Sequence, residues 1–195
     1  MNALQVGSVV WYVTGRFYLA EDGALQDLGY FLHFAGLEGS LFDGEGQSEA
    51  TACLTFRSEP FQASNVVNGP LVVSLDPVGS FSVYLKRRPG SSFDHPDSFS
   101  DGMCIATFRR ASVVAGAKLE AGSQKQAGAL SLNVFTATLT WSREFIFRGR
   151  TYDLGRLIPN GITQWGDAGP TPITPTPTGF SSVVPFLGSA IAVGG

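Results

Sequence analysis

The stretch from Ser131 to Arg148 reads SLNVFTATLTWSREFIFR. Phe135, Ala137, Leu139 and Trp141 recur at a spacing of two, and Thr136, Thr138, Thr140 and Ser142 fill the gaps between them. That is the period of a β-strand with one buried face, and β-branched Thr suits the other face. A strand of this length must bend or break, and the alternation slips at Ser142-Arg143. Phe145-Ile146-Phe147 then meets Arg148-Gly149 and continues into Thr151-Tyr152-Asp153-Leu154, the pattern of a tight hairpin. The spacing predicts Phe135, Leu139 and Trp141 together in the main core.

The same period recurs outward from this segment. Val9 to Thr14 reads as a strand, resumed from Arg16 to Leu19, and Glu21-Asp22-Gly23 turns the chain. Tyr30 to Phe34 alternates next, and the Gly-rich residues 36–48 form a loop. In Thr51 to Arg57, Ala52, Leu54 and Phe56 share a face. Leu71 to Leu75 is closed by Asp76-Pro77, and Phe81 to Lys86 alternates again. After the polar loop 88–102 come strands at Met103–Arg110 and Val113–Leu119, then a Gly/Ala/Gln connection over 121–129. A helical period is nearly absent. The reading is all-β, about nine to eleven strands in an antiparallel meander. So many strands bury their faces only by closing, so a barrel or barrel-like sandwich is expected over residues 1–165.

Composition narrows the function. The chain has 195 residues, 44% hydrophobic and 12% aromatic with 15 Phe, enough for a sizeable core. Thirteen basic against 16 acidic residues give a net charge of −3, which argues against a nucleic-acid or anionic-membrane protein working through a basic surface. No apolar run reaches the roughly 18–20 residues of a membrane helix. No Lys or Arg precedes Arg16, and Trp11 and Tyr12 interrupt the first apolar run, so no cleavable signal peptide is expected. The compartment stays open: cytoplasmic, or part of an assembly or particle.

Residues 166–195 are a different material. Asp167 is the only charge from Asn160 onward, and GPTPITPTPTG at 169–179 favours extended polyproline II. The apolar end, FSSVVPFLGSAIAVGG, is expected to act as an arm that docks Val183, Val184, Phe186, Leu187 and Ile191 on a neighbouring subunit.

Chemistry-bearing residues are few. Asp94, Asp97 and Asp101 crowd the loop Asp94–Gly102, but their spacing is not that of a calcium loop, and turn chemistry explains them. His33 lies among aromatic residues without a carboxylate to orient it, so it reads as a core or interface histidine. Cys53 and Cys104 sit mid-strand as free thiols, and no metal-ligand or phosphate-loop motif occurs. Arg87-Arg88 and Arg109-Arg110 are the paired basics; they would grip a carboxylate, or simply face water at strand ends. No catalytic residue, metal or cofactor is assigned.

Two functions follow. The first is a non-enzymatic structural or accessory subunit, packing on copies of itself or other subunits through an uncharged β surface and the C-terminal arm. The alternative is a small-molecule-binding barrel, acting as a binding protein or as a cyclase or isomerase on an apolar ligand. Trp11, Tyr30, His33, Phe135 and Trp141 would then line its pocket. In general build the chain resembles the calycin and allene-oxide-cyclase-like barrels, a likeness of architecture rather than of motif.

Overall fold

Strands with one apolar face leave a sheet that must be covered, and this chain covers it by rolling the sheet onto itself. The computed structural model describes residues 2–61, 64–68, 72–76, 79–116, 131–169 and 172–194. The expected 121–129 connection and the end of the expected 113–119 strand lie outside them. The strands are β1 (Val9–Ala20), β2 (Leu25–Phe34), β3 (Leu54–Ser58), β4 (Ser64–Asn68), β5 (Val72–Asp76) and β6 (Ser80–Leu85). They continue as β7 (Met103–Gly116), β8 (Ser131–Ser142), β9 (Phe145–Phe147), β10 (Arg150–Tyr152), β11 (Ile162–Ala168) and β12 (Phe180–Ala192), with a short 3-10 helix at Pro96–Ser100 and one α-helical turn, α1, at Leu154–Leu157.

Eight of them, β1-β2-β3-β6-β7-β8-β11-β12, form a ring in chain order, every pair antiparallel, with β12 returning to β1. This is the expected antiparallel barrel, with slightly fewer strands in the ring than the nine to eleven read from the sequence. The others are excursions: β4 and β5 form a ribbon on the far half of β7, and β9–β10 form a separate hairpin. That hairpin turns where the sequence places it, with Arg148 at φ 49° and Gly149 at φ 79°.

The barrel interior is aromatic. Trp11 meets Phe31 edge-on at 5.4 Å and Phe108 at 5.7 Å, and Phe81 stacks on Phe108 at 5.0 Å. Each such ring contributes roughly 1.5–3 kcal/mol by leaving water. Gly15 and Gly29 are paired across β1–β2, and a Cβ on Gly15 would lie 2.8 Å from the Phe186 ring. Gly15 leaves room for that ring to lie against the sheet, and Gly29 lets the β1 backbone approach closely, a Cβ there falling 2.6 Å from Gly15 Cα.

A second apolar layer covers the outside of β1–β3. The 88–102 loop, polar in sequence, lays Phe93 and Phe99 over the sheet, their rings 4.9 Å apart and both buried. Tyr18 Oη donates to the Phe93 carbonyl at 2.9 Å, and Thr55 Oγ1 to the Phe99 carbonyl at 2.7 Å. The Arg16 guanidinium lies 4.2 Å over the Phe93 ring. Asp97 is held by Arg57 at 2.8 Å. On another flank, Arg148 clasps the 40–53 loop, donating to the Ser40 and Phe42 carbonyls and to Asp43.

Two expectations are corrected. The stretch expected as an arm docking on a neighbouring subunit contains β12, which pairs with β1 from Val9↔Ile191 to Ala20↔Phe180 and with β11 from Ile162↔Ala192 to Ala168↔Phe186. Closing a barrel requires a last strand, and the uncharged tail supplies it. Pro185 is tolerated because it lies just past the last β11 pair. The second correction is Trp141, which is 46% exposed rather than in the core with Phe135. The β7–β8 register steps from Thr107↔Trp141 to Phe108↔Leu139, so Thr140 is an extra residue in the ladder. That bulge breaks the alternation and leaves Trp141 opposite Thr107, whose hydroxyl meets Ser82 Oγ at 3.0 Å on the outer face.

Candidate functional site

Two places hold side chains that packing alone does not explain. The first is the barrel interior. Period-two alternation on β7 points Arg110 inward with Phe108, and on β2 it points Asp27 inward with Phe31. Arg110 Nη2 donates to both Asp27 oxygens, at 2.8 and 2.6 Å, and the two side chains are 3% and 4% exposed. Phe135, Phe81 and Phe61 surround the guanidinium at 4.8, 5.1 and 5.6 Å. Arg110 Nε is buried without a hydrogen-bond partner among the described residues. Nearby, Trp11 Nε1 donates to Gln164 Oε1 at 2.9 Å, also buried.

These residues enclose a cavity of about 10 Å³, which is at the lower limit of what holds one water. Among the described residues, the part of the interior that these side chains line is filled, and an apolar ligand has no volume in that part without displacing rings.

Of the five expected pocket residues, Trp11 and Phe135 line this cavity. Tyr30 is buried outside the ring, beneath Phe42 and Phe93 at 6.1 and 6.3 Å. His33 is exposed against Tyr12, with rings 5.8 Å apart, and not a core histidine. Trp141 is on the outer face. The carboxylate grip weighed for Arg109-Arg110 is internal: Arg110 holds Asp27. Asp27 and Gln164 belong to no motif that would single them out, although the phase that buries Phe31 also points Asp27 inward.

The second place is the outer face of β11, β12 and β1. The register lines up Trp165, Ser189, Tyr12 and His33 across four strands, with Leu187 in the adjoining row beside Thr14. Trp165, Tyr12 and Leu187 are 38%, 45% and 60% exposed. The nearest charge in the Leu187 row is Asp167, its β11 partner. Of the residues expected to dock as an arm, Val183 and Phe186 are buried within this chain, and Val184 and Ile191 are half-buried. Leu187 alone is exposed.

Titration reflects burial. Tyr18 is pushed up to about 12 by desolvation, against a smaller opposing pull from Arg16. Burial also raises Tyr30, Tyr84 and the Cys53 thiol, and lowers Lys86. No protein-family model, curated protein or solved structure matches this chain.

Proposed function

We propose that this chain is a non-enzymatic subunit of a protein assembly, its partner surface being the outer face of β11, β12 and β1. The observation that carries the reading is the cluster of Trp165 and Tyr12, exposed on either side of Ser189, with exposed Leu187 in the adjoining row and Asp167 at its margin, on the outside of a closed barrel. A barrel has no free edge in its ring, so association there proceeds face to face through side chains. Large exposed apolar side chains gathered on one face, without interspersed Lys or Glu, are the composition of an interface rather than of open surface.

Light scattering on the full chain tests the proposal, beside the charge-inserting variant Leu187→Arg. The wild type should run as a multimer, and the variant should shift to monomer with an unchanged far-UV spectrum. A wild type that stays monomeric at high concentration would overturn self-assembly through this face.

A further inference from the structure

Arg87 and Arg88 follow β6 at the point where the chain leaves the barrel, and Asp101, Gly102 and Met103 return to it at the start of β7. Between these two segments lies a cleft of about 420 Å³, its charged lining being Lys86, Arg87, Arg88 and Asp101. Its size falls in the range of small-molecule sites.

Three of its lining residues are cations. Arg87 and Arg88 are exposed, and no carboxylate oxygen lies within 4 Å of Lys86, Arg87 or Arg88 among the described residues. Lys86 is only 7% exposed. Its Nζ donates to Ser91 Oγ at 2.8 Å and to the Ser98 carbonyl at 2.7 Å, both neutral acceptors. A buried ammonium bound to neutral oxygens keeps an uncompensated charge, and desolvation accordingly lowers its pKa. Asp101, the one carboxylate on the lining, pulls the other way and is exposed. The local balance is thus cationic, in a chain whose net charge is −3. Leu85, Pro89 and Met103 add apolar surface to the same walls.

We infer that this cleft binds a small organic anion, a carboxylate or phosphate head on a compact apolar body, with Arg87 and Arg88 gripping the head and Leu85, Pro89 and Met103 receiving the body. Guanidinium groups suit such heads because their N–H donors match two oxygens at once. The site is independent of the proposed assembly face, which uses other strands.

Phenyl phosphate titrated into ¹⁵N-labelled protein tests the inference. Benzyl alcohol serves as the uncharged control and inorganic phosphate as the headgroup control. Saturable shifts should centre on the amides of residues 86–90 and 101–103. The exposed double variant Arg87→Gln/Arg88→Gln should keep the wild-type spectrum elsewhere and bind at least about tenfold more weakly, the worth of one lost charge-assisted bond. Benzyl alcohol should produce no saturable shift, and inorganic phosphate should bind more weakly than phenyl phosphate. Absence of saturation with phenyl phosphate, equal binding by the double variant, or equal binding of inorganic phosphate would each overturn the assignment.

Discussion

Asp27→Leu removes the acceptor from a guanidinium that water cannot reach. Both side chains of the Asp27–Arg110 pair are under 5% exposed, so either one left alone bears nearly the whole cost of desolvation. Breaking a buried pair from one side typically costs about 3–5 kcal/mol. The two sides are not equivalent here. An orphaned Arg110 keeps the rings of Phe135, Phe81 and Phe61 at 4.8–5.6 Å, and cation–π contact returns roughly 0.5–2 kcal/mol. An orphaned Asp27 carboxylate keeps no comparable contact among the described residues. Arg110→Met should therefore be the costlier single change, near the top of that range, with Asp27→Leu near the bottom. The double variant should recover most of the loss, or exceed the wild type, since apolar replacement of a buried pair is often neutral or stabilising by about 1–4 kcal/mol. The unpartnered Arg110 Nε pushes the outcome in that direction, being a buried donor unsatisfied among the described residues. Urea unfolding followed by tryptophan fluorescence and far-UV dichroism measures all three variants. Single losses below about 1 kcal/mol, or losses that simply add in the double variant, would refute the account of the pair.

Further outcomes follow from the same geometry. Gly29→Ala should cost about 1–3 kcal/mol in urea unfolding, because the new Cβ meets the β1 backbone at Thr14 and cannot rotate away. Trp141→Ala should change stability by less than about 1 kcal/mol, as expected for a residue outside the core, and a loss of several would place it back inside. The folded pKa of Tyr18 is raised to about 12 from 10.0. Its contribution is therefore fully present below pH 10 and is lost as pH rises through 12, by at most roughly 2–3 kcal/mol. Tyr18→Phe should flatten the alkaline limb of a stability–pH curve between those values; Tyr30 and Tyr84 would supply the slope that remains.

Most of the barrel was legible because most of its strands keep one polar and one apolar face. Phe81–Lys86 and the Arg148-Gly149 hairpin fall where their alternation puts them, and Thr51–Arg57 does so from Leu54 onward, its first three residues forming a turn with an isolated bridge from Ala52 to Phe42. Trp141 was misplaced for a local reason: one extra residue at Thr140 reverses the phase without leaving a mark in the composition. The 88–102 loop misled in the opposite sense. Its Ser and Asp content hides Phe93 and Phe99, whose burial depends on a sheet face distant in sequence. Asp27 and Arg110 were each readable as inward-facing by phase, but their meeting across the barrel from β2 to β7 is a property of closure, which no local pattern encodes.

The closing strand was illegible for a different reason, and that reason bears on function. In β12 the inward set is Val184, Phe186, Gly188, Ala190 and Ala192; the outward set is Val183, Pro185, Leu187, Ser189 and Ile191. Neither carries a charge, so the segment shows no polar face, and its apolar character fits docking on a partner as well as closing its own barrel. The register resolves the inward set: those residues fold the chain. Within the outward set Val183, opposite Tyr18, is fully buried and also serves the fold, whereas exposed Leu187 gives a strand facing water nothing that Thr or Lys would not supply, and it lies one row from Tyr12 and Trp165 on the flanking strands. The proposed assembly role therefore rests on this outward row and no longer on a detached arm. The charge-free composition that concealed the strand in the sequence is the same property that suits its outer side to another subunit.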